Sequence, residues 1–165
     1  LSFSFTYFRN DFEDLIFYDW ALGYVNVDEV ETYGYEAMFN AVPVYGLSIN
    51  GSYTFTNAKK KENDERLLRR PKHKANFTVN YRFLRDKLNV NLNMIHIGER
   101  VDYFPYPTRV MADAYTLFNL SAAYRLNKNI ELFVRLDNMF DKEYEAILGY
   151  GTPKRSIYAG VRYNN

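Results

Sequence analysis

Residues 75–83 read ANFTVNYRF and residues 88–94 read LNVNLNM, with only LRDK (84–87) between them. Ala75, Phe77, Val79, Tyr81 and Phe83 alternate with Asn76, Thr78, Asn80 and Arg82. Leu88, Val90, Leu92 and Met94 alternate in the same way with Asn89, Asn91 and Asn93. Successive side chains of a strand point to opposite faces, so this period of two spells a hairpin with one apolar and one polar face.

The rhythm spreads in both directions. Leu1, Phe3, Phe5 and Tyr7 oppose Ser2, Ser4 and Thr6, and Tyr33 to Ala41 repeat the pattern over 32–41. Leu47, Ile49, Gly51, Tyr53 and Phe55 oppose a Ser, Thr and Asn series over 47–56. Downstream, 115–126, 131–137 and 156–163 alternate as well, which makes eight predicted strands and no helical period. The longer ones, 32–41, 47–56, 75–83 and 115–126, match a tilted bilayer crossing of about 9–11 residues.

The polar face chooses between architectures. A soluble sandwich alternates too, but its wet face normally carries Lys and Glu against edge aggregation. Here that face is mostly Ser, Thr and Asn, and the apolar face often ends in Tyr or Phe, as interfacial girdles do. The 16 Tyr and 13 Phe against one Trp supply such girdles. The predicted fold is therefore all-β, an antiparallel transmembrane β-barrel contributing about eight strands. Short connections at 41–46, 84–87 and 126–129 alternate with long ones at 57–74, 99–114 and 138–154, and 19–23 is shorter. Outer-membrane barrels have short periplasmic turns and long extracellular loops, which places the long connections outside.

Other classes find little support. The net charge is +1, so no basic field favours nucleic acid, and the absence of Cys excludes disulfides and thiolate metal sites. No apolar run is long enough for a transmembrane helix, and the mean hydropathy of −0.42 does not bear on strands that alternate. The start, LSFSF, reads as that of a mature piece or fragment.

Eight stretches in register then carry a family likeness: YFRNDFEDLI (7–16), YVNVDEVETYGYEAMF (24–39), SYTFTNAK (52–59), LLRRPKHKANFTVNYRF (67–83), HIGERVD (96–102), YTLFNLSAAYRL (115–126), LFVRLDNMFDKEYE (132–145) and GYGTPKRSIYAGVRY (149–163). Together they resemble the C-terminal third of a TonB-dependent outer-membrane receptor of the cobalamin and iron-siderophore type. The resemblance implies a barrel of about 22 strands filled by an N-terminal plug, on which a coupling protein pulls to admit a scarce metal chelate. It makes 1–165 the C-terminal part of that barrel, without plug or N-terminal strands. The implied setting is the outer membrane of a Gram-negative bacterium. The implied partners are a siderophore or corrinoid chelate, a TonB-type protein acting through the plug, lipid and lipopolysaccharide, and the barrel-assembly machinery. Neither nucleic acid, nor a cofactor, nor an enzymatic activity is implied. The end, VRYNN, departs from the terminal aromatic usual in the family. A self-closed eight-stranded barrel, a passive pore and a soluble β-domain remain as alternatives.

The candidate sites lie in the connections. Arg100, Asp102, Tyr103, Phe104, Tyr106 and Arg109 combine aromatic faces with guanidinium groups, a set suited to a planar or anionic chelate. Tyr150 and Arg155 form a second candidate, and interfacial anchoring of the aromatics is the competing explanation. Asp137, Asp141, Glu143 and Glu145 offer oxygen ligands but lack the spacing of a calcium loop. Asn138, Phe140, Asp141 and Tyr144 instead match the family's strand-end signature, and Asn and Asp there suggest a side-chain-closed turn. His73 and His96 have no metal-spaced partner. The basic run 59–74 could meet lipopolysaccharide phosphates or be a solvated loop, and Glu36 on the polar face could meet a plug.

Overall fold

The computed structural model describes residues 1–19 and 21–163, so Trp20 of the 19–23 connection and the terminal Asn164 and Asn165 lie outside the description. Ten strands follow in order: β1 (Ser2–Asp19), β2 (Gly23–Val44), β3 (Leu47–Lys60), β4 (His73–Phe83), β5 (Leu88–Ile97), β6 (Arg100–Tyr103), β7 (Arg109–Ala112), β8 (Tyr115–Arg125), β9 (Ile130–Asp137) and β10 (Ser156–Tyr163). Eight of them form one antiparallel meander in the order β1-β2-β3-β4-β5-β8-β9-β10, and β6 and β7 pair separately. The eight predicted strands are therefore present. The sequence period missed the β6–β7 hairpin, which sits inside the 99–114 connection.

Register makes the two faces continuous. Ala41, Ile49, Val79, Leu92, Leu120, Leu136 and Ile157 are successive cross-strand partners, an apolar row running from β2 to β10. One residue along, Asn40, Asn50, Thr78, Asn93 and Asn119 form a polar row on the opposite face. A slip of one residue would exchange the rows. On the polar face the amides bond across strands: Asn80 donates to Asn89 at 2.8 Å, and Asn93 to Thr78 at 3.0 Å and to Asn76 at 3.1 Å.

Among the described residues nothing covers the apolar face. Phe3, Phe5, Tyr53, Phe77, Leu92, Val134 and Ile157 are all exposed, and among the described residues the buried apolar ones are Val30, Ala58, Val101 and Ala112. A soluble sandwich would need a second sheet against that face, and the short β6–β7 pair cannot supply one. The sheet is also open. β1 and β10 are its edges and do not pair, so the self-closed alternative is not what the chain forms.

Several boundaries differ from the sequence reading. β1 and β2 have 18 and 22 residues, well beyond the predicted 1–7 and 32–41. In their outer parts Arg9, Asp11, Glu29 and Glu31 take positions that the alternation reserves for apolar residues, and pairing there is reinforced by Lys61 to Asp11 at 3.0 Å and to Glu29 at 3.1 Å, and by Arg9 to Glu31 at 3.5 Å. Most of the predicted 41–46 turn is strand. The register shifts between Ala41 and Val44, around Pro43, which cannot donate to a ladder. The chain then reverses at Gly46, whose φ is +82°, and an added Cβ would lie 2.2 Å from the Arg82 carbonyl. Gly51 serves the apolar face differently. Phe39 and Phe77 flank it in register, and the Phe39 ring occupies the space of the missing side chain.

Candidate functional site

At the long-loop end, three connections pack into one cluster around the β6–β7 hairpin. Along β6, alternation puts Arg100 and Asp102 on one side. Asp102 is fully buried, and each carboxylate oxygen reaches a different segment. Its Oδ1 accepts from Arg69 Nε at 2.9 Å and from the Tyr103 amide at 2.9 Å, and its Oδ2 accepts from the Leu148 amide at 3.2 Å. Burial pushes the Asp102 carboxyl up, but the Arg69, Tyr103 and Leu148 donors together outweigh it and hold the group below the usual carboxylate range.

Arg100 is 3% exposed and serves backbone carbonyls rather than a carboxylate. Its Nε and Nη2 donate to the Ala146 carbonyl at 3.2 and 2.9 Å, Nη2 also to that of Glu145, and Nη1 to that of Asp113 at 3.3 Å. Its guanidinium lies 5.5 Å from the Tyr115 ring centroid, and Tyr144 packs on Tyr115 from the 138–155 connection at 4.5 Å. Arg109 binds the other neighbour, reaching Glu65 at 3.0 Å and the Arg66 carbonyl at 2.5 Å.

The ligand candidates therefore divide. Arg100 and Asp102, expected to face a chelate, are buried inside the cluster because loop backbone at this depth needs charged donors and acceptors. Arg109 is half-buried, and its guanidinium lies 6.0 Å from the Tyr103 ring centroid. Tyr103 and Tyr106 meet edge to face at 5.2 Å. Phe104, Tyr106, Tyr150 and Arg155 are exposed. The 138–155 connection and the start of β8 form a half-open pocket of about 410 Å³ that Lys142, Glu143, Glu145 and Lys154 help to line. Two stretches of the family likeness, 132–145 and 149–163, supply most of its walls, but only the fold brings them against residues 113–115. Sequence reading treated Arg69 as one more surface base.

The strand-end signature is a turn. The Asn138 side chain donates to the Lys142 carbonyl and accepts from the Lys142 amide, each at 2.9 Å, and its own amide donates to Asn119 on the polar row at 2.9 Å. Asn138 and Asp141 have φ of 50° and 54°, a left-handed conformation that Asn and Asp tolerate best among residues with side chains. Asp141 then receives the Arg155 amide at 2.8 Å, and exposed Phe140 meets Phe118 of the apolar face at 5.3 Å.

The remaining candidates are the two histidines, the basic run and Glu36. His73 bonds Tyr53 at 2.7 Å and His96 bonds Thr116 at 2.9 Å. In the basic run, Lys59, Lys60, Lys61 and Arg69 all pair with carboxylates of this chain. Glu36 lies on the polar face between Thr6 and Thr54.

Comparison with known proteins agrees with this architecture. The family model described as "TonB dependent receptor-like, beta-barrel" matches residues 1–139. The vitamin B12 transporter BtuB of Photobacterium profundum is 34% identical over 141 residues, covering 84% of this chain and 22% of that protein. Among solved structures, the ferric-catecholate import receptor Fiu of E. coli K12 superposes with a TM-score of 0.80 at 20% identity, over 98% of this chain and 25% of its own. FpvA of P. aeruginosa, solved with pyoverdine–iron complexes, gives 0.81 at 21% identity over 98% and 24%. The chain thus spans about a fifth to a quarter of the proteins it matches. With a family match over most of its length and an open, two-faced meander of the same shape, this chain belongs to the TonB-dependent receptor β-barrel family.

Proposed function

We propose that this chain is the C-terminal wall and extracellular loop region of a receptor that imports a metal chelate, a corrinoid or a siderophore, across the outer membrane of a Gram-negative bacterium. The observation that carries it is the pairing of an uncovered apolar band with an aromatic and arginine surface at one end of the sheet. Lipid covers such a band in barrels of this family. Long loops then face outward, and Phe104, Tyr106, Tyr150 and Arg155 meet the chelate, with aromatic faces for planar ligand groups and guanidinium for anionic ones. The plug and its TonB-type coupling partner are supplied outside this chain. BtuB transports vitamin B12, and at 34% identity it makes a corrinoid the first chelate to try.

The test uses the complete receptor in a strain deleted for its gene, measuring uptake of radiolabelled vitamin B12 and of a panel of ferric siderophores. The expected result is restored uptake of one chelate that stops when a protonophore collapses the energy supply. Uptake of many solutes, indifferent to the protonophore, would make the protein a passive pore instead.

A further inference from the structure

Two buried charges at the centre of the loop cluster, Arg100 and Asp102, are withdrawn from solvent, yet they join segments far apart in sequence. Arg69 lies 33 residues before Asp102, and Leu148 lies 46 after it. The 61–72 connection is fixed a second time, because the Arg69 amide donates to the Val101 carbonyl at 2.8 Å. The 138–155 connection is likewise fixed again by the three bonds from Arg100 to Ala146 and Glu145. Gly149 completes the seat. With φ +84° it lies so close to Phe104 that a Cβ would come within 2.7 Å of the ring.

We propose that Asp102 and Arg100 are positioning residues: a buried clasp that makes the 61–72, 100–112 and 138–155 segments one rigid body, and so sets the spacing between Phe104 and Tyr106 on one side and Tyr150 on the other. The inference rests on the chelate-import reading only for what that spacing serves. Its physical basis is independent. A carboxylate with no exposed surface and three donors from three points of the chain cannot lose a partner without stranding a buried charge, so the segments stay together or separate together. The exposed aromatics are on the hairpin tip and two residues beyond Leu148, each a short step from a clasped atom. Chelate affinity therefore depends on Asp102, although Asp102 is out of the chelate's reach.

The complete receptor in outer-membrane vesicles provides the test. Nitroxides are placed at Tyr106→Cys and Tyr150→Cys, any cysteine elsewhere in the receptor being replaced, and their separation is read by pulsed electron resonance. The parent should give one narrow distance. Asp102→Asn should broaden it, and so should Arg69→Gln, whose partly exposed site keeps it compatible with folding. Exposed Glu143→Gln should leave it unchanged. A narrow distance in both clasp variants overturns the proposal. In unlabelled receptor, Asp102→Asn should raise the half-saturating chelate concentration roughly tenfold at unchanged maximal rate and membrane abundance. Broadened distances with unaltered half-saturation would overturn the role in ligand positioning. A parent receptor that takes up no chelate would remove the functional reading, and the nitroxide distances would still decide the clasp.

Discussion

The wall of β3, β4, β5, β8 and β9 and the cluster around β6 are built on opposite principles. In the wall each residue has one duty, to face lipid or lumen, and the duty repeats every second position. Asn91 serves much as Asn89 and Asn93 do, and Leu92 much as Leu120 does. In the cluster nothing repeats: Arg69, Arg100, Asp102 and the Leu148 amide each have one partner set that no neighbour could take over. Periodic structure tolerates substitution within a class, whereas the cluster is vulnerable atom by atom.

The largest effect expected is a breach of the wall's division. Leu120, between Leu92 and Leu136 in the apolar row, sits at the centre of the band. Leu120→Arg should destabilise the refolded barrel in lipid vesicles by about 2–4 kcal/mol, the cost of a cation at bilayer mid-depth. Asn91→Arg, one register row away on the polar face, should cost no more than about 0.5 kcal/mol, as at a wetted surface position. Denaturant unfolding of both variants measures the contrast, and equal losses would mean that the faces are wrongly assigned.

The same division explains what the sequence disclosed. Period two is written into adjacent residues, so 75–83 and 88–94 announced their strands and, through register, which face each residue takes. The outer parts of β1 and β2 were illegible because Arg9, Asp11, Glu29 and Glu31 put charge where the period requires apolar residues, and the pairing there is held by ion pairs across strands. The clasp was less legible still. HIGERVD (96–102) marked Arg100 and Asp102 as notable, but the chemistry of their side chains suggested a ligand. Only the fold shows that their partners are the Arg69 side chain, 33 residues before Asp102, and backbone groups up to 46 residues away, and backbone groups leave no trace in residue identity.

Asn138 stands at the junction of the two regions, and its loss should come second. Asn138→Ala removes both bonds to Lys142 from a buried position and leaves a left-handed φ without the side chain that suits it. A loss of about 1–3 kcal/mol is expected. Hydrogen exchange should quicken at the Lys142 amide and its neighbours while β4 and β5 stay protected. Uniform loss of protection would show that the turn supports the whole sheet rather than its own loop.

Acid should separate the regions without mutation. Because the folded Asp102 carboxyl titrates below its unfolded value, its contribution is complete above the ordinary carboxylate pKa of about 3.9 and lost as pH falls through the lower, folded value. Exchange at the Tyr103 and Leu148 amides should therefore be pH-independent after correction for intrinsic rates from neutrality to about pH 5. It should rise only in stronger acid. Loosening that begins near neutrality would assign the clasp to some other titrating group.

The smallest effect belongs to a carboxylate of the same loop end that looks equivalent on paper. Glu143 accepts from Lys154 at 2.7 Å, and that bond holds its carboxyl below the usual range, the same direction as at Asp102. Both partners are well exposed, so water and salt replace each other's charge almost fully when the pair is broken. Glu143→Gln should leave unfolding and loop exchange unchanged at any ionic strength, whereas Asp102→Asn should release Arg69 and the Leu148 amide together. If the two substitutions instead proved alike, burial would not be what distinguishes a clasp from a surface pair. The cluster would then hold together by the burial of Val101 and Ala112 in the hairpin, with its charges merely accommodated.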